Sequence, residues 1–204
     1  KYLPFVDKPG KRFSIINRDT EQIHLCMALP GIGLMHPNRF HLDLMNVILG
    51  EGMSSRLFSE IRDRLGLAYS INSYVEHFLD TGALTVSASF DPDNMEKTAA
   101  AIVEQLESLK DNIPEEEINK AREISKGRLL LRMEDSRNVA GWLGGQEILT
   151  DNILPLEEVI TIINEITPDQ IKQIARSIID VKKIKVAVVG PAKDTRSLEK
   201  LIEI

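Results

Sequence analysis

The 204-residue sequence holds one cysteine, one tryptophan and four histidines, and aromatic residues make up only 5% of it. A lone Cys26 excludes an internal disulfide. It sits in the apolar run Ile23-His-Leu-Cys-Met-Ala-Leu29, which reads as a buried strand, so the thiol is taken as a small hydrophobe and not as redox chemistry. His24, His36, His41 and His77 form no pair three or four apart on a helix, which counts against a zinc site. The segment Ser73-Tyr-Val-Glu-His77 approaches H-x-x-E-H, but it has Ser at the first position. It also lies in a predicted strand, where positions 73 and 76 face opposite ways. All four histidines therefore read as structural or solvent-facing. Basic residues are not in excess: the formal charge is −6, which argues against nucleic acid or an anionic membrane as partner. No apolar run approaches the roughly 18 residues that span a bilayer, and the N-terminus lacks the pattern of a signal peptide. A soluble chain, with the cytoplasm favoured, is the expectation. The sequence starts at Lys1 and not at Met, which reads as a piece of a longer protein.

With 43% apolar residues the chain can bury a substantial core without metals or disulfides. Residues 1–19, with two prolines and a glycine near the start, read as a linker ending in an edge strand over 12–17. A strand over 21–29 ends at Pro30-Gly31, and a helical stripe of Phe40, Leu44, Met45, Ile48 and Leu49 follows over 38–50. Two β-patterned runs, 68–77 and 83–90, make a hairpin around Asp80 and Gly82. Asp91-Pro92 opens a helix, and further helices run from Pro114, over 136–149, 155–166 and 168–179. The run 184–189, short and rich in β-branched residues, reads as a central strand of a covered sheet. Strands lead and helices follow, which predicts an α+β fold: a mostly antiparallel sheet covered on one face by several helices. The glycines of Gly141-Trp-Leu-Gly-Gly145 lack a preceding strand and a following Gly-Lys-Ser/Thr, so close helix packing is preferred to a phosphate loop. Gly50-Glu-Gly52 reads as a bend, and Glu115-Glu-Glu117 as a solvated first turn.

The most informative stretch runs from Glu51 to Ser70. Leu57, Ile61 and Leu65 recur every fourth residue, predicting a helix that carries Arg62, with Ser54 or Ser55 to cap it. Gly66 stops that helix, and a strand opens with Tyr69, Ile71, Ser73 and Val75 on one face. Singly, Arg62 reads as a solvated charge and Tyr69 as packing. Together, Gly52-Met-Ser-Ser-Arg-Leu-Phe-Ser-Glu-Ile-Arg62 and Gly66-Leu-Ala-Tyr-Ser70 closely resemble the C-terminal, zinc-free half of the pitrilysin, insulinase and mitochondrial processing peptidase family of zinc metallopeptidases. Thr20-Glu-Gln22, Gly82, the helix after Asp91-Pro92, Gly127 with Leu129 to Leu131, and Ala187-Val-Val-Gly-Pro191 extend the resemblance over nearly all of 20–191. Asp63 and Leu65 stand where relatives often carry other residues.

The resemblance implies one lobe of a clamshell, a metallopeptidase C-terminal-type domain at 20–191 with a helix or tail at 192–204. Zinc and its H-x-x-E-H motif would belong to an N-terminal half or partner subunit, so this chain alone would be inactive. Arg62 and Tyr69 would reach across the cleft to an extended peptide, Tyr69 donating to the developing oxyanion and Arg62 holding peptide carbonyls. A homodimer of such halves is a further assembly the resemblance allows. A second reading stays open: a non-catalytic assembly or peptide-binding subunit with the same fold.

Overall fold

A computed structural model describes residues 4–6, 10–192, 198 and 200. Among the described residues five strands form one sheet in the order β1-β5-β2-β4-β3, with β1 Phe13–Asn17, β2 Ile23–Pro30, β3 Ser70–His77, β4 Gly82–Phe90 and β5 Lys185–Gly190. The β1–β5 pairing is parallel, and β5–β2, β2–β4 and β4–β3 are antiparallel. The strand expected over 12–17 is therefore the sheet edge. The closing strand lies inside the sheet, between β1 and β2.

Alternation fixes which face is covered. Ile23, Leu25, Met27 and Leu29 of β2, Leu84, Val86, Ala88 and Phe90 of β4, and Val186 and Val188 of β5 are all buried on one side. Among the described residues the helices α1 Arg39–Gly50, α2 Met95–Ser108, α3 Glu115–Met133, α5 Leu156–Glu165 and α6 Pro168–Ile178 supply the other half of this core, while α4 Ser136–Thr150 buries no residue and packs only the half-buried Trp142 against it. Helix α1 packs on β3 and also touches α3, α5 and α6. Starts follow local chemistry: Asp135 accepts from the Arg137 amide at 2.8 Å at the head of α4, and Thr167 with Gln170 closes a capping box ahead of Pro168. The opposite face of the sheet carries His24, Cys26, Thr85, Ser87, Ser89, Ser70, Asn72 and Tyr74, with the Ser70 and Ser89 hydroxyls 2.7 Å apart.

Several expectations need correction. Cys26 is half-buried on this second face, not sealed in the core, because its neighbours across β4 and β5 are the small Ser87 and Ala187. Gly141, Gly144 and Gly145 meet no atom within 4 Å of where a Cβ would stand, so they are not sites of close packing. A close approach does occur at Gly50, where a Cβ would lie 2.6 Å from the Ser73 amide nitrogen. Glu117 is not a freely solvated carboxylate, since it is paired with Arg56. Most of 192–204, read as a helix or tail, lies outside the described residues. No described helix is long and apolar enough to cross a membrane.

Candidate functional site

The chain between α1 and β3 builds the rim on which Arg62 and Tyr69 stand. After the bend at Gly52 (φ +104°), a short helical start leads into a π-helix, Phe58–Arg64. The expected α-helix is thus corrected: its backbone closes wide turns, as in the bond from the Leu65 amide to the Glu60 carbonyl at 2.9 Å. Such wide turns are rare and concentrate at functional sites. Leu57 and Ile61 point into the core with no exposed surface, which fixes the inward side of the segment. Neither serine caps the start by accepting an amide proton. The Ser55 hydroxyl instead donates to the Gly52 carbonyl at 2.7 Å.

The segment's base is held by Arg56, whose side chain is only 11% exposed. Its guanidinium donates to both Glu117 carboxylate oxygens, at 3.1 and 3.2 Å from Nε and 2.5 Å from Nη2, and to the Ser108 hydroxyl at 2.9 Å. A further bond reaches the Asn112 carbonyl at 2.6 Å. One cation therefore ties the rim to the end of α2 and the start of α3. The sequence reading missed this because a charge pair 61 residues apart leaves no periodic trace.

At the far end Gly66 adopts φ +61°, the left-handed conformation that ends helices and that glycine enters at no steric cost. The Leu67 amide then donates back to the Ile61 carbonyl at 2.9 Å, and the Tyr69 amide donates to Ser89 of β4 at 2.8 Å. The strand opens at Ser70, not before, so Tyr69 does not share the buried side of Ile71 and Ser73. It stands at the rim with 72% of its surface exposed.

The pair that the sequence singled out comes together here. The Arg62 guanidinium carbon lies 4.8 Å from the centre of the Phe58 ring and 6.0 Å from that of Tyr69. Both are within cation–π range. Among the described residues neither the Arg62 guanidinium nor the Tyr69 hydroxyl has a hydrogen-bond or ion-pair partner, so both heads keep their donors free. Beside them Arg64 pairs with Glu60, and this cation holds the Glu60 carboxyl below its ordinary pKa. That neighbouring pair engages Glu60 and leaves Arg62 unspent.

Among the described residues no three His, Cys, Asp or Glu side chains come together as a ligand set. In the near-motif around β3, Ser73 is buried and Glu76 exposed, on opposite faces as expected. His77 is engaged structurally, with Nε2 3.0 Å from Asp43 Oδ1 and Nδ1 2.7 Å from the Ile32 carbonyl.

A helix-backed α+β lobe with an open arginine–tyrosine rim and no metal-ligand set among its described residues is the class that fold and site define. Residues 1–125 match the peptidase M16 inactive domain, and the chain belongs to that family. It is 34% identical over 190 residues to an uncharacterized zinc protease of Mycobacterium bovis, covering 92% of this chain and 43% of that protein. An uncharacterized zinc protease of Streptomyces coelicolor is 30% identical, over 91% of this chain and 40% of its own length. The chain thus spans less than half the length of the curated relatives it matches. Among solved structures, a peptidase M16 inactive domain from Pseudomonas fluorescens superposes with a TM-score of 0.81 at 24% identity, covering 89% of this chain and 44% of that one. A protease from Helicobacter pylori gives 0.78 at 21%, covering 88% and 44%. These two likenesses show the fold.

Proposed function

We propose that this chain is the zinc-free half of a zinc-dependent metalloendopeptidase, a lobe over 20–191 to which residues 1–19 add the edge strand. It clamps an extended peptide against a zinc-bearing N-terminal half and stabilises the transition state. The observation that carries this reading is the convergence of Arg62 and Tyr69 on one exposed rim with their donors unspent. A neutral phenol that donates only when an oxyanion forms contributes more to the transition state than to the ground state, and so raises turnover. The guanidinium, planar and permanently charged, offers several N–H donors to peptide carbonyls and holds them in register beside the phenol. Neither group attacks the peptide. Because no metal-ligand set forms among the described residues, nucleophile and base are assigned to the other half, and the chain alone is inactive.

The naming of relatives as zinc proteases and the family's own description support a peptidase context. The test supplies the N-terminal half, in the same chain or as a subunit, and follows peptide hydrolysis. Tyr69→Phe lowers turnover on the order of a hundredfold, as loss of one oxyanion donor does elsewhere. Arg62→Ala raises KM and lowers turnover together. Wild-type rates in both variants would refute these roles and favour a non-catalytic peptide-binding or assembly subunit.

A further inference from the structure

Arg62 presents a problem that its own backbone does not solve. A long side chain on an exposed turn samples many rotamers, and a guanidinium that must meet peptide carbonyls in one orientation loses that freedom on binding. The usual remedy is an ion pair, and it is used twice nearby: Glu117 fixes Arg56, and Glu60 fixes Arg64. An ion pair, however, consumes the in-plane N–H donors that a substrate would need. Stacking on a ring consumes none, because it uses the face of the guanidinium and leaves its edge free.

We propose that Phe58 is a positioning residue for Arg62, an inference that rests on the functional reading above. The Phe58 ring lies closer to the Arg62 guanidinium carbon than the Tyr69 ring does, 4.8 against 6.0 Å. Arg62 thus lies over both rings, nearer that of Phe58. Phe58 itself is only half-buried, although its neighbours Leu57 and Ile61 vanish into the core. A ring left at the surface for packing alone forgoes burial; a ring facing a cation gains an interaction there. Residues four apart lie on one face of a helix, and the π-turn between Phe58 and Arg62 keeps both on the rim while Arg56 anchors the start of the segment. The base is therefore rigid, and Phe58 transmits that rigidity to the guanidinium without spending a donor.

The experiment uses the protein assembled with its zinc-bearing half. Phe58→Leu, which keeps apolar bulk and removes the π face, lowers kcat/KM about 2- to 5-fold, the range of an exposed cation–π contact. Phe58→Tyr restores near-wild-type values, which a purely volumetric role would not require. In an Arg62→Ala background Phe58→Leu adds no further loss. A spectroscopic readout is independent of hydrolysis: the Arg62 Nε–H proton, shifted by the ring current, moves in Phe58→Leu while its thermal midpoint stays near wild type. An unmoved resonance, or an additive loss in the double variant, overturns the inference. Wild-type hydrolysis by Arg62→Ala overturns the functional reading and this inference with it. A defect in Arg62→Ala beside a silent Phe58→Leu overturns this inference alone.

Discussion

The two ends of β3 carry polar side chains of similar standing in the sequence and opposite standing in the fold. At one end Tyr69 and Arg62 meet on an exposed rim with no polar partner among the described residues. At the other His77 is 12% exposed and has both ring nitrogens facing acceptors, Asp43 and the Ile32 carbonyl. A buried polar group that is fully satisfied is part of the architecture, because leaving it unpaired is costly. A pair of exposed heads with every donor in reserve has capacity for a ligand. The difference lies in whether hydrogen-bonding capacity is spent, not in residue type.

The largest effects separate the ends by readout. Tyr69→Phe removes a hydroxyl with no partner among the described residues, so its melting midpoint stays within a degree or so of wild type while turnover of the assembled enzyme falls about a hundredfold. Arg56→Ala does the reverse at the segment's base. It strips Glu117, Ser108 and the Asn112 carbonyl of their donor, and costs about 2 kcal/mol, discounted because Glu117 is 35% exposed. Calorimetry then shows a midpoint lower by about 4–8 °C for a domain of this size. A Tyr69→Phe variant that melts early, or an Arg56→Ala variant that does not, would break the distinction between the two kinds of site.

Much of this was legible in the sequence, for identifiable reasons. Period-two burial in β2 and β4 and the proline or Asx helix starts are local signals, and they gave the elements and their α+β order. Gly66 marked the break before β3 because few other residues take a positive φ there. The π-helix was not legible: Leu57, Ile61 and Leu65 satisfy an α-helical stripe, and the extra residue per turn is set by docking Leu57 and Ile61 while Arg56 holds the start. Nor were the partners of Arg56 and His77, since Glu117 and Asp43 lie 61 and 34 residues away. The place of Tyr69 outside the strand followed from one irregular bond to Ser89.

Gly66 offers a smaller and sharper test. Its φ of +61° is strained for any residue with a Cβ, yet nothing lies within 4 Å of where that Cβ would stand. Gly66→Ala therefore costs about 1 kcal/mol through backbone conformation alone, and Gly66→Asn costs less because Asn tolerates this region. Midpoints in the order wild type, Asn, Ala verify it by calorimetry. An Ala variant as stable as wild type would mean that the loop between Arg62 and Tyr69 relaxes to another conformation.

The smallest effect concerns the His77 end and depends on pH. Burial alone would depress the His77 pKa, but the Asp43 carboxylate and the Ile32 carbonyl outweigh burial and the nearby Arg39, and the net shift is upward. A base whose folded pKa exceeds its unfolded value, about 6.5, stabilises the fold fully below that pH. The contribution is lost as pH rises through the higher folded value. His41, on the neighbouring helix, works against it: burial lowers its pKa, so its neutral form is favoured and stability falls as pH drops below about 6.5. Substituting His77→Gln removes the first component and leaves the second. Chemical denaturation of the variant between about pH 5 and 8 therefore gives stability that rises more steeply with pH than in the wild type. Parallel profiles would show that the His77–Asp43 contact carries no charge, and the imidazole would then be an uncharged spacer between α1 and the loop at Ile32.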